Sequence, residues 1–281
     1  MRLRIVLAAA ALLTAAFAAP ATAATSGGVN DPACRPSSAH PRPVVFLHGL
    51  GATSYEDLNY LQEHVAAQGY CTFSRTYGAY PQFPLVGGLR PIADSATEIK
   101  QFVGEVLAET GAAQVDLVGH SEGGFQTLYV TKTQGIADRI GSVVAIAPPT
   151  HGTTFAGLTK LAYLLGARDE VGAALTAFGC PACDNLITGG SAVQTLTNGP
   201  IAQPGVRYTV LTSRSDELVT PTETSFVREP GVTNEYVQDT CPFDPVGHIG
   251  EAYDLNVWNL VTNALDPAHA TKFLCTAGSP G

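Results

Sequence analysis

The segment Gly119-His120-Ser121-Glu122-Gly123 restricts the fold of this 281-residue chain more than any other stretch. An apolar run over 115–118 precedes it, and a helix-like segment over 124–130 follows it. A G-x-S-x-G pattern between a strand and a helix predicts a turn so tight that only glycine fits on either side of the serine. Such a turn holds the hydroxyl at the carboxyl edge of a sheet, over the positive end of a helix. The sequence therefore predicts Ser121 as an exposed nucleophile.

A second pattern is typical of the loop that serves such a serine. A short apolar strand over 43–47 runs into His48-Gly49-Leu50-Gly51. A serine that attacks a carbonyl group needs two backbone N–H groups directed at the developing oxyanion. One comes from the residue after the serine and the other from the loop after an early strand. We expect Glu122 and Leu50 to be these donors, although an ordinary strand ending in a glycine turn would look similar.

The residues after the serine include a base and an acid in the expected order. A serine nucleophile needs a histidine base, and the histidine needs a carboxylate that fixes its tautomer. A predicted strand over 206–212 is followed by Asp216, and a later strand over 232–237 leads to a loop that contains His248. Serine, acid and histidine in that order, each after a strand, is the arrangement expected with this turn. We therefore assign Asp216 as the acid and His248 as the base.

Three other residues compete for these roles. Asp244 lies four positions before His248, and Glu217 is adjacent to Asp216. Alternatively, Asp244 is a carboxylate that caps a loop, and Glu217 is a solvated surface charge. His151, after a predicted strand over 142–147, is a second candidate base, but it precedes any convincing acid.

Strands and helices alternate along the chain, which predicts a parallel sheet with helices on both faces. The predicted helices cover about 55–68, 92–110 and 251–263, and the 92–110 segment has a clear apolar stripe. The early strand order is too short for a large eight-stranded core, so we expect a compact, mostly parallel sheet of six strands.

An insertion over about 148–205 contains no obvious strand. It includes two short, strongly apolar helical candidates over 155–165 and 171–178. These helices either pack on the core or form a wall or lid that covers Ser121 and binds an acyl chain. The sequence does not distinguish between a fixed wall and a moving lid.

The first residues have the pattern of a secretory signal peptide. Basic residues Arg2 and Arg4 precede an apolar stretch over 5–19, and small residues follow at 21–23. We expect cleavage after Ala23, which leaves one domain over 24–281 in an exported protein. No later stretch reaches the roughly 20 apolar residues that a membrane-spanning helix needs.

Net charge and cysteine content indicate which partners and which cellular compartment to expect. The formal net charge of −9 argues against nucleic acid or anionic lipid as the main partner, but not against neutral lipid. Six cysteines in an exported chain predict three disulfides, for which 15 connectivities are possible. From their positions along the chain we expect the pairs Cys34–Cys71, Cys180–Cys183 and Cys241–Cys275. Cys180 and Cys183 form a C-x-x-C, but the chain has no second cysteine pair that would complete a metal site.

With these motifs in place, the chain resembles the secreted bacterial lipases of the α/β-hydrolase superfamily, and among them the actinobacterial class 2 lipases. The similar segments are His48–Gly51, 119–124, 149–153 and 215–221. The three-disulfide pattern also resembles that of fungal lipase B-type enzymes. The resemblance implies a carboxylic ester substrate, such as a triacylglycerol or a shorter acyl ester, a monomeric chain and no cofactor. Some lipase groups bind calcium, but no acidic cluster here suggests a calcium site.

One residue departs from that pattern, and two other functions compete with it. Glu122 stands where related enzymes often have Gln or Met, so its carboxylate must point away from the oxyanion. A cutinase-like polyester hydrolase or an acyltransferase would keep the same three residues and differ in the wall around them. A secreted binding protein that has lost catalysis would share the fold, but the intact Ser121, Asp216 and His248 argue against it.

Overall fold

The computed structural model describes residues 27–154, 176–177 and 179–280. Within them, one parallel sheet has the strand order β1-β3-β2-β4-β5-β6-β7. The strands are β1 (Gly28–Val29), β2 (Val44–Leu47), β3 (Cys71–Ser74), β4 (Val115–His120), β5 (Ile140–Ile146), β6 (Arg207–Thr212) and β7 (Val232–Tyr236). The predicted α/β class is confirmed. The predicted count of six strands is wrong, because the two-residue β1 adds a seventh at one edge.

The helices connect these parallel strands. In the described part of the chain they are α1 (Asn59–Ala67), α2 (Ile92–Thr110), α3 (Glu122–Thr133), α4 (Pro181–Leu186), α5 (Ser191–Thr197), α6 (Val237–Thr240) and α7 (Leu255–Leu265). Short 3₁₀ helices cover Ala137–Arg139, Thr222–Ser225, Gly250–Ala252 and Pro267–His269. The helix predicted at 251–263 is thus a 3₁₀ turn followed by α7.

Two hydrophobic clusters cover the two faces of the sheet. Side chains alternate along each strand, so Val45 and Leu47 of β2 enter one cluster, whereas Val44 and Phe46 enter the other. The apolar residues of α2 and α3 belong to the first cluster, and those of α1 and α7 belong to the second. This arrangement buries both faces of the sheet and leaves the carboxyl ends of its strands for loops.

The three expected disulfides are present, between Cys34 and Cys71, Cys180 and Cys183, and Cys241 and Cys275. Cys34–Cys71 joins the segment after β1 to the start of β3. Cys180–Cys183 lies at the start of α4. Cys241–Cys275 joins the loop before His248 to the C-terminal segment.

Some expectations lie outside the described residues. They include the signal peptide over 1–23 and most of the two apolar helical candidates over 155–165 and 171–178. The described part of the insertion instead contains α4 and α5, which the sequence analysis did not predict. Within the described ranges, no helix combines the length and apolar character needed to cross a bilayer.

Candidate active site

A sharp turn between β4 and α3 presents Ser121. This serine has a φ of +56° and a ψ of −120°, a backbone conformation that is costly for a residue with a side chain. A Cβ atom on Gly119 would overlap the carbonyl group of Gly123, and one on Gly123 would overlap that of Leu47. The turn can therefore close only with glycine at both positions, which is the geometry that the G-x-S-x-G pattern predicts.

Ser121, His248 and Asp216 form one chain of hydrogen bonds. The distance from His248 Nε2 to Ser121 Oγ is 2.9 Å, and that from His248 Nδ1 to Asp216 Oδ2 is 2.8 Å. An ionised carboxylate only accepts hydrogen bonds, so Nδ1 carries the proton and Nε2 is free to accept from the serine hydroxyl. The His248 and Asp216 side chains are buried, so they do not exchange these partners for solvent.

Backbone groups fix Asp216 and His248 relative to each other. Asp216 Oδ1 accepts hydrogen bonds from the backbone N–H groups of Leu218 and Val219, both at 2.8 Å. Glu217 Oε2 accepts from the backbone N–H of His248 at 3.1 Å. Glu217, expected as either an alternative acid or a surface charge, thus holds the backbone of the loop that contains His248.

The other two candidate residues, Asp244 and His151, make hydrogen bonds to neither Ser121, His248 nor Asp216. Asp244 accepts from the backbone N–H groups of Val246 at 3.1 Å and Gly278 at 2.9 Å, and also from the Asn256 side chain. It therefore joins the segment before His248 to the C-terminal segment. The exposed His151 hydrogen-bonds through Nε2 to the carbonyl oxygen of Phe226 at 3.1 Å.

The loop after β2 lies beside the serine. A Cβ atom built on Gly49 would be 3.3 Å from Ser121 Cβ. The Tyr77 hydroxyl donates to the carbonyl of His48 at 2.6 Å, and the Tyr77 ring stacks on the His48 ring at 4.3 Å between centroids. Burial lowers the pKa of His48, which keeps this stacked imidazole neutral. These contacts fix the backbone that leads to Leu50.

Glu122 directs its carboxyl group into the protein interior. The side chain is fully buried, and its two oxygens have no hydrogen-bond partner among the described residues. Burial raises the pKa of Glu122 well above its usual range, and the nearby Gln126 only partly offsets this effect. The amide oxygen of Gln126 also lacks a donor in the described structure. A neutral Glu122 would bring a proton to this region, whereas an ionised one would add only acceptors.

A second histidine–aspartate pair lies directly behind the first. His120 Nδ1 is 2.8 Å from Asp57 Oδ1, and His120 Nε2 is 3.0 Å from the carbonyl oxygen of His248. Burial alone would lower the pKa of His120, but the Asp57 carboxylate outweighs it and raises the pKa. Conversely, burial would raise the pKa of Asp57, and the charge of His120 lowers it. The sequence analysis missed this pair, since 63 positions separate the two residues and no periodic pattern connects them.

A cavity of about 170 Å³ opens at the serine. Most of its walls are apolar, and its lining includes Leu50, Ser121, Pro149, Thr153, Leu186, Leu218, Val219, His248 and Ile249. Pro149, Thr153 and Leu186 belong to the described part of the insertion over 148–205, so this part of the insertion lines the cavity. A second cavity of about 680 Å³, between α7, β6, β7 and the C-terminal segment, is lined by none of the expected catalytic or oxyanion residues.

No group of three or more histidine, cysteine, aspartate or glutamate side chains in the described ranges is arranged to hold a metal ion.

Comparison with known proteins agrees with this fold. The sequence profile described as "Alpha/beta hydrolase family" matches residues 44–259. Two proteins named triacylglycerol lipase are similar to part of the chain. The one from Pseudomonas fragi is 27% identical over 136 residues, or 48% of this chain and 44% of the relative. The one from Pseudarthrobacter phenanthrenivorans is 29% identical over 123 residues, or 42% of this chain and 36% of the relative. The chain thus spans less than half the length of these relatives.

Solved structures share the architecture at low identity. Aspergillus fumigatus lipase B superposes with a TM-score of 0.62 and 18% identity, over 85% of this chain and 54% of that one. The mature form of Bacillus licheniformis lipase BlEst2 gives a TM-score of 0.53 and 19% identity, over 84% of this chain and 95% of that one. At such identities the likeness establishes the fold alone.

Proposed function

This chain belongs to the alpha/beta hydrolase family, and we propose that it is a lipase-type serine hydrolase that cleaves carboxylic esters through an acyl-enzyme on Ser121. The observation that carries the proposal is the hydrogen-bonded chain Ser121–His248–Asp216, which ends in a mostly apolar cavity. The relatives named triacylglycerol lipase support an acyl ester as the substrate.

The proposed reaction is a two-step acyl transfer. Nε2 of His248 takes the proton of the Ser121 hydroxyl as the oxygen attacks the ester carbonyl, and Asp216 stabilises the resulting imidazolium. His248 then gives the proton to the leaving alcohol, so the ester C–O bond breaks and the acyl group stays on Ser121. Water, activated by the same histidine, releases the acid and restores the serine.

Two backbone N–H groups would stabilise the oxyanion of each tetrahedral intermediate. Glu122 is the first residue of α3, where N–H groups have no acceptor within the helix. The N–H of Leu50 makes no hydrogen bond to another described residue. Both residues adjoin Ser121 or line its cavity, and the loss of one such donor typically costs about 2.7–4 kcal/mol of transition-state stabilisation.

The finer parts of the proposal concern lineage and location. The motifs around Leu50, Ser121 and Asp216 lead us to place the chain near the actinobacterial class 2 lipases. We also propose that residues 1–23 are a signal peptide and that the mature chain over 24–281 acts outside the cell as a monomer. Three disulfides support an oxidising compartment, where such bonds persist.

The decisive experiment is hydrolysis of p-nitrophenyl esters from acetyl to palmitoyl by the mature protein and by Ser121→Ala. We expect the wild type to hydrolyse esters and the variant to retain its fold but lose this activity. A phosphonate ester should also label the peptide that contains Ser121 in the wild type. An active Ser121→Ala variant would refute the assignment.

The pattern of activity across chain length then identifies the class of hydrolase. Activity that persists on palmitoyl esters supports a lipase with an acyl-binding wall formed by the insertion. Activity confined to short chains, together with clearing of a polyester emulsion, would instead favour a cutinase-like enzyme. Transfer of the acyl group to an added alcohol faster than to water would favour an acyltransferase.

A further inference from the structure

The buried pair of His120 and Asp57 is connected to three of the segments that carry the proposed chemistry. Asp57 Oδ2 accepts from the backbone N–H of Gly49 at 2.5 Å, next to Leu50. His120 directly precedes Ser121 and bonds to the carbonyl oxygen of His248. One ion pair therefore links the loop after β2, the serine turn and the loop that contains the base.

The partners of His120 determine its protons. The carbonyl oxygen of His248 can only accept a hydrogen bond, so Nε2 of His120 must carry a proton. Asp57 already receives the Gly49 N–H, and its carboxylate accepts a second hydrogen bond from Nδ1 of His120. With both nitrogens donating, the ring is a cation opposite an anion. The raised pKa of His120 and the lowered pKa of Asp57 agree with this state.

The cation lies close to the base. The His120 and His248 rings are 4.9 Å apart between centroids, and both side chains are buried. The other titratable groups that face the pair are Asp216 beside His120, and His48 and Tyr253 beside Asp57. Because Nε2 of His120 bonds to the carbonyl oxygen of His248, a displacement of the His120 ring would also displace the His248 backbone.

We propose that His120 is a positioning residue, held as an imidazolium by Asp57, which aligns the loop after β2, the serine turn and the loop of His248. This inference rests on the proposed function, because it assigns His248 as the base. It adds that the residue before the nucleophile and an aspartate in the loop after β2 control the geometry of that base.

The test compares the wild type with Asp57→Asn, which keeps the shape of the side chain but removes the anion. We expect kcat to fall about 10- to 100-fold with little change in KM, as for a small misplacement of reacting groups. A merely structural role would lower the stability of the variant but leave kcat of the folded protein unchanged.

The matched control is Asp266→Asn. Asp266 pairs with Nδ1 of His269 at 2.8 Å in the same way as Asp57 pairs with His120, but His269 is exposed and neither residue lines the serine cavity. This variant should leave kcat and KM unchanged. An Asp57→Asn variant whose kcat matches that of Asp266→Asn would overturn the proposal.

Long-range ¹H–¹⁵N spectra of the histidines provide a readout that needs no turnover. In the wild type, one imidazole should keep both nitrogens protonated above pH 6.5, the ordinary pKa of histidine, and this signal should change in Asp57→Asn. If no wild-type histidine stays doubly protonated above that pH, the proposal is wrong, even if Asp57→Asn fails to fold. A wild type with this signal but without esterase activity would instead refute the proposed function but not the ion pair of His120 and Asp57.

Discussion

At the residue scale, two buried aspartates near His248 bond to different partners, so their substitution should affect kcat and stability differently. Asp216 bonds to the His248 imidazole, whereas Asp244 bonds to backbone N–H groups and to Asn256. We expect Asp216→Asn to lower kcat by about 10⁴-fold, because an amide favours the wrong histidine tautomer. Asp244→Asn should lower the melting temperature and change kcat far less. Steady-state kinetics and thermal unfolding of both variants check this, and a larger kcat loss in Asp244→Asn would reverse the assignment.

The sequence predicted some site residues and not others for a physical reason. Ser121, Asp216 and His248 each follow a strand of a parallel sheet, so their order and spacing place them on one edge. Asp57 and His120 pair through a tertiary contact that depends on how the loop after β2 folds back, and local sequence contains no signal of it. Three of these five residues are therefore predictable from the sequence alone.

At the scale of elements, the C-terminal segment packs against the loop that contains the base. Side chains along α7 hold this segment, since Asn263 and Asn259 bond to Thr271, and Asn256 bonds to Thr276. Farther along, the carbonyl of Ser279 accepts from the backbone N–H of Gly247, the residue before His248. The Cys241–Cys275 disulfide ties the two segments together. The C-terminal segment thus stabilises the position of the base.

Removal of that disulfide should therefore affect both stability and turnover. The bond closes a loop across 34 positions, and the chain-entropy relation gives it roughly 3–4 kcal/mol. We expect Cys241→Ala/Cys275→Ala to lower the melting temperature by roughly 10 °C and to lower kcat, because the loop of His248 loosens.

The Cys180–Cys183 bond provides the matched control. It closes a loop across only 3 positions, for which the same relation gives about half the stabilisation. Cys180→Ala/Cys183→Ala should therefore cause a smaller loss of stability, and differential scanning fluorimetry with kinetics compares the two. A Cys241→Ala/Cys275→Ala variant with reduced stability but wild-type kcat would show that the C-terminal segment does not position the base.

Elements with a long periodic pattern were predicted well, and short ones were not. The bounds of α2 match the prediction because its apolar stripe runs the full length of the helix and Gly111 ends it in a left-handed conformation. The helix expected from residue 55 begins only at Asn59, since Asp57 has a φ of +68° and bonds to Gly49 and His120 instead. The two-residue β1 has no pattern long enough to detect.

At the scale of the whole molecule, the alternation of strands and helices was sufficient for the fold class. It also placed the carboxyl ends of β2, β4 and β6 on one edge, where the serine cavity opens. The number of strands and the helices α4 and α5 depended on tertiary packing, because short segments gain their stability from neighbours rather than from local propensity. The class of a molecule is therefore easier to predict than its edges and insertions.

Two fully buried carboxyl groups, Glu122 and Glu251, should control how the stability of the molecule varies with pH. Burial raises the pKa of each well above the ordinary value of 4.5, and for Glu251 the nearby Asp216 adds to the effect. Glu251 Oε1 accepts from the N–H of Ser213 at 2.7 Å, while its other oxygen has no partner in the described structure.

As pH rises above 4.5, the unfolded chain loses these two protons while the folded chain retains them, so stability falls with pH up to the raised folded pKa. Each group lowers the free energy of unfolding by at most about 1.4 kcal/mol per pH unit in that window.

We therefore expect Glu122→Gln and Glu251→Gln to unfold at nearly the wild-type urea concentration at pH 4.5 but at a higher concentration at pH 8. Glu109→Gln on the exposed face of α2 is the control and should parallel the wild type at both pH values. If the buried variants gain no stability relative to it between pH 4.5 and pH 8, both carboxyl groups ionise in the folded protein, and the protein interior must supply partners for both carboxylates.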